Sequence, residues 1–128
     1  MKSLATLLFA LLIGCTNTSK SFLPATSPIE AGRNYIEACL QGDFEKAKAN
    51  AAGTGTMQSY TTATEKTYRS LGKEGRSNFR QASIIILDIT DQDSLHTLIH
   101  YRNSIDKTPH QMVVEKTKGN WQVVSITP

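Results

Sequence analysis

Apolar positions along the chain change period twice, and those changes divide it into three stretches. Leu4 to Ile13 is an uncharged run with no period at all. From Ser27 the spacing is helical. Ser27-Pro28-Ile29-Glu30 supplies an N-cap, a proline at the first helical position and the glutamate of a capping box, and Ile29, Ile36, Cys39 and Leu40 recur on one face until Gly42 stops the helix. Asp43 caps a second helix, expected from Phe44 to about Ala52 and ended by Gly53-Thr54-Gly55. Met57, Tyr60, Thr64, Tyr68 and Leu71 then share a face, predicting a third helix from about Thr56 to Leu71 that Gly72 and Gly75 terminate.

After Arg76 the period becomes two. The β-branched run Ile84-Ile85-Ile86-Leu87-Asp88-Ile89, within Asn78 to Thr90, is followed by alternation over Leu95 to Asn103, Gln111 to Thr117 and Trp121 to Thr127. The links are short, the last a tight turn at Gly119-Asn120, so the strands should form an antiparallel meander. The expected class is α+β: three N-terminal helices over one face of a curved four-stranded antiparallel sheet, with the sheet supplying most of the core.

The apolar run at the start follows Lys2 and is too short for a membrane-spanning helix, which needs about 20 residues. It has the proportions of a secretory leader. Its end, Leu12-Ile13-Gly14-Cys15, resembles the lipobox of bacterial lipoproteins, in which the cysteine thiol accepts a diacylglyceryl group and the small residue before it admits the peptidase. The expected organisation is a signal peptide over residues 1–14, a lipidated Cys15 with a flexible tether over 15–26, and one domain over 27–128. Cleavage falls between Gly14 and Cys15, and the bilayer is a partner through acylated Cys15. The polar tether would hold the domain roughly 20 Å from the lipid. Cys39 is then left without a partner for a disulfide. Thr16, rather than an aspartate, follows the cysteine, which in the sorting known for Gram-negative lipoproteins implies the outer membrane with the domain facing the periplasm.

Charge narrows the function further. Loss of Lys2 leaves thirteen basic residues against eleven acidic, too balanced for a dedicated nucleic-acid binder, and no nucleic acid is expected as a partner. Lys66, Arg69, Lys73, Arg76 and Arg80 outnumber Glu65 and Glu74 locally, as a solvated helix face does. His96 and His100 fall on the same side of a strand but about 13 Å apart, too far to share a metal, and only a cross-strand His110 beside His100 would change that. Asp88, Asp91 and Asp93 lack the spacing and glycine of a calcium loop and read as a polar turn. Gly53-Thr54-Gly55-Thr56 precedes a helix without the Gly-Lys-Ser/Thr of a phosphate loop. No metal and no cofactor is expected.

Gly42-Asp43-Phe44-Glu45-Lys46-Ala47 between the first helices and Lys118-Gly119-Asn120-Trp121-Gln122-Val123-Val124 near the end resemble the nuclear transport factor 2-like (cystatin-like) superfamily. Within it, the likeness is to the small bacterial lipoprotein domain of unknown function formerly termed lumazine-binding. The resemblance spans nearly all of Pro28 to Ile126 and implies a cone between helices and sheet, but no catalytic residue. Three uses follow. The first is a non-catalytic binding or accessory module whose cone takes a small apolar or aromatic ligand, with Tyr35, Ile36, Tyr60, Tyr101 and Trp121 as pocket candidates. The second is an enzyme of ketosteroid isomerase type, for which Asp88 with Tyr35, Tyr60 and Tyr101 are the comparable groups. The third is a protein-interaction domain, such as a homodimer, acting through the open sheet face.

Overall fold

The computed structural model describes residues 20–128; Gly14, Cys15 and the leader lie outside the described residues. The chain runs α1 (Pro28–Gln41), α2 (Phe44–Ala49), α3 (Gly55–Ser70), α4 (Lys73–Arg80), then β1 (Ile84–Asp91), β2 (His96–Asn103), β3 (His110–Thr117) and β4 (Asn120–Thr127). The strands form one antiparallel sheet in the order β1-β2-β3-β4. Among the described residues no helix is long and apolar enough to cross a membrane.

The helix ends follow the capping signals. Ser27 accepts from the Glu30 amide (3.2 Å), while the Glu30 carboxylate reaches back one residue further than a capping box requires, to the Thr26 amide (2.7 Å) and hydroxyl (2.8 Å). Gly42 takes the left-handed conformation (φ 76°) that ends α1, and Asp43 caps α2 by accepting from the Lys46 amide (3.2 Å). Two elements differ from expectation. Helix α2 stops at Ala49 because the next residues pair with β4: the Ala52 amide donates to the Val123 carbonyl and the Val123 amide to the Asn50 carbonyl, both at 2.8 Å. A fourth helix, α4, follows α3 at Gly72, where the glycines had suggested irregular chain. It is held through Phe79, which packs edge-on against Tyr68 at 6.2 Å.

Helix α1 crosses the inner face of the sheet. A Cβ on Gly32 would stand 2.9 Å from Met112 Sδ and 3.2 Å from Ile99 Cδ1, so the glycine lets the helix backbone settle onto the strands. Thr97, Ile99 and Tyr101 of β2 are buried on this face, opposite Val114, Met112 and His110 of β3. The sheet does not supply most of the core. Strand β1 has no buried residue, and Leu87 and Ile89 remain 48% and 47% exposed, whereas α1 alone buries Ala31, Tyr35, Ile36, Ala38 and Leu40. Ile89 pairs with Ile99 and therefore shares its face, so the helical layer ends short of that corner. Bulges between Ile86 and Asp88 and between Val113 and Val114 break the registers of the outer strand pairs, the device by which sheets bend.

Candidate functional site

At one end of the cone, between α1, α3 and the start of β3, lies a cavity of about 230 Å³. Tyr35, Ile36, Tyr60 and Tyr101 line it, together with Cys39, Leu40 and Ile126. Helical spacing aligns the α1 contributors: Tyr35, Ile36, Cys39 and Leu40 project from adjacent turns of one face. Trp121 does not join them. It pairs with Lys116, whose ammonium lies 5.9 Å from the indole ring, and it is half-buried elsewhere on the core. Size and aromaticity suggested the pocket, but the register of β4 places the ring at the other end of the strand from Ile126.

The cavity wall is apolar with a few polar tips. The Tyr35 and Thr61 hydroxyls are hydrogen-bonded at 2.8 Å. Tyr101 is only 5% exposed and Tyr60 is 36% exposed at the rim, and neither hydroxyl has a hydrogen-bond partner among the described residues. Burial pushes both phenols above the ordinary value of 10.0; Cys39 and Asp106 add to the effect at each, and Tyr60 and Tyr35 add to it at Tyr101. Desolvation pushes the Cys39 thiol up to about 12. The phenols of Tyr60 and Tyr101 and the Cys39 thiol are thus held in their neutral forms.

The rim carries a pair that periodicity did not reveal. His110 Nε2–H donates to Asp106 Oδ2 at 2.8 Å, and the imidazole stacks on Tyr101 with centroids 5.5 Å apart. Asp106 sits in the β2–β3 connection, where its other oxygen accepts from the Thr108 amide (3.0 Å) and Asn103 accepts from the Ile105 and Asp106 amides. The Thr108 amide, then His110, hold its carboxyl below the usual 3.8. The available signal was Asp106-Lys107-Thr108-Pro109-His110, an Asx turn leading straight into a histidine.

The remaining candidates fall elsewhere. Asp88 lies on the outer face of the sheet, 62% exposed and 3.7 Å from His100, so it is not the base of a cone-centred reaction. His96 and His100 share that outer face, whereas His110 pairs with Tyr101 on the inner one, so His100 and His110 cannot converge. Asp93 accepts from the Leu95 amide (2.7 Å) and from His96 Nδ1 (2.9 Å), and Asp91 accepts from the Thr97 hydroxyl, as in a closed polar turn. No group of three metal-ligating side chains occurs among the described residues. Thr54 caps α3 through the Met57 amide. Arg69 is paired with Glu65 at 2.7 Å, while Arg76 lies over the Tyr68 ring and Arg80 reaches its hydroxyl.

No family model matches the sequence, and no curated protein matches it. Among solved structures it is similar to an NTF-2-like protein of unknown function from Shewanella oneidensis MR-1. The TM-score is 0.59 and the sequence identity 12%, over 77% of this chain and 92% of that one. At that identity the likeness concerns the fold: the chain has the nuclear transport factor 2-like fold, four helices on a curved four-stranded antiparallel sheet.

Proposed function

We propose that this chain is an envelope lipoprotein whose folded domain binds a small apolar or aromatic molecule in the cone, without transforming it. The observation that carries the binding half is Tyr101: its ring is packed in the core, while its hydroxyl has no protein partner among the described residues and opens into a cavity whose floor of Ile36, Leu40 and Ile126 is apolar. An occupant with an acceptor atom would take the hydrogen that this hydroxyl has no protein group to receive. The anchoring half is supported by Lys2, the uncharged run to Ile13, Gly14 and Cys15 in the order that lipidation requires. Two acyl chains on one residue hold a protein on a bilayer, because each buried methylene contributes about 0.8 kcal/mol.

Cys15→Ser in the full chain tests the anchor. The wild-type chain should be processed to Cys15 and pellet with membranes, and the serine variant should be neither processed there nor retained. Equal processing and equal retention of the variant would overturn the anchor.

A second reading is enzymatic, with the Asp106–His110 pair taking the place that Asp88 vacates. The pair could move a proton at the rim while Tyr60 and Tyr101 donate to a developing oxyanion. Turnover that Asp106→Asn abolishes without loss of ligand affinity would favour this reading over simple binding.

A further inference from the structure

The cavity's chemistry says more about its occupant than that it is small. Three features limit it. A space of about 230 Å³ lies below the range of drug-sized sites, so it suits one ring with a short substituent. Its lining includes no lysine or arginine, and its one carboxylate, Asp106, already occupies the only histidine there. The two cations that touch the lining do so at Tyr68 and are already engaged: Arg76 lies over its ring and donates to the Arg69 carbonyl, and the exposed Arg80 goes to its hydroxyl at 3.3 Å. An anion in the cavity would lose its hydration and find no cation in return, so the occupant is neutral.

The third feature is the pattern of donors. The Tyr35 hydroxyl is engaged with Thr61, the Thr64 hydroxyl donates to the Tyr60 carbonyl and the Tyr68 hydroxyl goes to the Gln41 carbonyl, which leaves the Tyr101 hydroxyl in the wall, with the Tyr60 hydroxyl and the Asn103 amide NH2 beside it in the lining. A phenol held neutral donates one hydrogen, and the ligand atom that meets it must accept.

We infer that the cone selects a neutral single-ring molecule bearing a carbonyl oxygen, which accepts from Tyr101, with Tyr60 as a second donor, while the ring lies on Ile36, Leu40 and Ile126. This inference rests on the reading of the cone as a ligand site. It adds a charge, a size and a functional group to that reading, and an orientation in which the oxygen points inward.

Three nearly isosteric probes separate those terms: acetophenone (neutral, carbonyl), ethylbenzene (neutral, no acceptor) and benzoate (anionic). Each is titrated into the full chain in detergent, with NMR shifts read at the rings of Tyr60, Tyr101 and His110. Acetophenone should bind about tenfold more tightly than either of the others, the difference one well-made hydrogen bond confers. Tyr101→Phe should remove that tenfold preference and leave ethylbenzene unchanged. It should not lower the melting temperature, since no protein hydrogen bond is lost. Tyr60→Phe should cost acetophenone less, about threefold, because water reaches the rim. If ethylbenzene or benzoate matches acetophenone, or if Tyr101→Phe leaves the preference intact, the carbonyl assignment falls while the ligand site stands. If no probe moves those three rings, the ligand site itself falls, and this inference with it.

Discussion

Asp106 and His110 close the β2–β3 connection with a 2.8 Å hydrogen bond, and the closed loop presses the imidazole against Tyr101 at the mouth of the cone. The bond ties a rim loop to His110, which with Tyr101 and Ile126 is where the inner face of the sheet meets the cavity.

The acid titration of that loop follows from its sign. A carboxylate whose folded value is depressed contributes stability that is complete above the unfolded value and is lost as pH falls through the folded one. The Asp106 carboxyl resonance should therefore titrate below 3.8, and the amides of Thr108 and His110 should move with it. A midpoint above 3.8 would mean that the loop is not closed in solution.

The thiol of Cys39 should be inert in the folded chain. With its ionisation pushed up to about 12, the thiolate fraction at pH 8 is about a thousandth of that of an ordinary cysteine. Iodoacetamide should label it at least 100-fold more slowly in buffer than in denaturant, counted by mass against Cys39→Ser. Equal rates would contradict the burial of this face of α1.

Gly42 and Tyr68 make a stability prediction. A Cβ at Gly42 would lie 2.5 Å from Tyr68 Cε1, and φ there is 76°. Tyr68 also packs edge-on against Phe44 at 5.8 Å, so its ring has little room to retreat. Gly42→Ala should lower unfolding free energy by about 2 kcal/mol, from left-handed strain plus overpacking, with the denaturant slope unchanged. A loss below about 0.5 kcal/mol would show that the ring moves aside.

The core and the edge of the sheet should respond differently to truncation. Ile99→Ala, in the closed core under Gly32, should cost about 2–5 kcal/mol, and Leu87→Ala, half-exposed on the edge strand, well under about 1 kcal/mol. Comparable losses would mean that something covers β1.

Much of this architecture was legible because its signals are local. Ser27-Pro28 and Gly42-Asp43 announce helix ends through their own backbone chemistry, and alternation in β2 and β3 reflects one buried face. Helix α4 was not legible, because Gly72 and Gly75 argue against it locally and only the tertiary contact of Phe79 with Tyr68 favours it. The isoleucines of β1 look like core by composition, yet only Ile84 and Ile86 pack half-buried against it and the helices stop short of Ile89, a fact of packing rather than period. At the site, the α1 residues Tyr35 and Ile36 lay on a readable helical face. Tyr101 needed strand alternation, and the Asp106–His110 pair lies in a connection where no period exists to read. Trp121 was misplaced for the converse reason: an aromatic residue on a strand does not declare which end of a cone it occupies.

Mass spectrometry of the purified full-length protein, under native and then denaturing conditions, tests anchor and cavity at once. The account predicts a denatured mass of the chain beginning at Cys15 plus three acyl chains and a glyceryl group. It also predicts a native mass higher by one small neutral molecule that denaturation releases and that Tyr101→Phe retains less well. A chain still beginning at Met1 with an unmodified Cys15, and identical native and denatured masses, would contradict it.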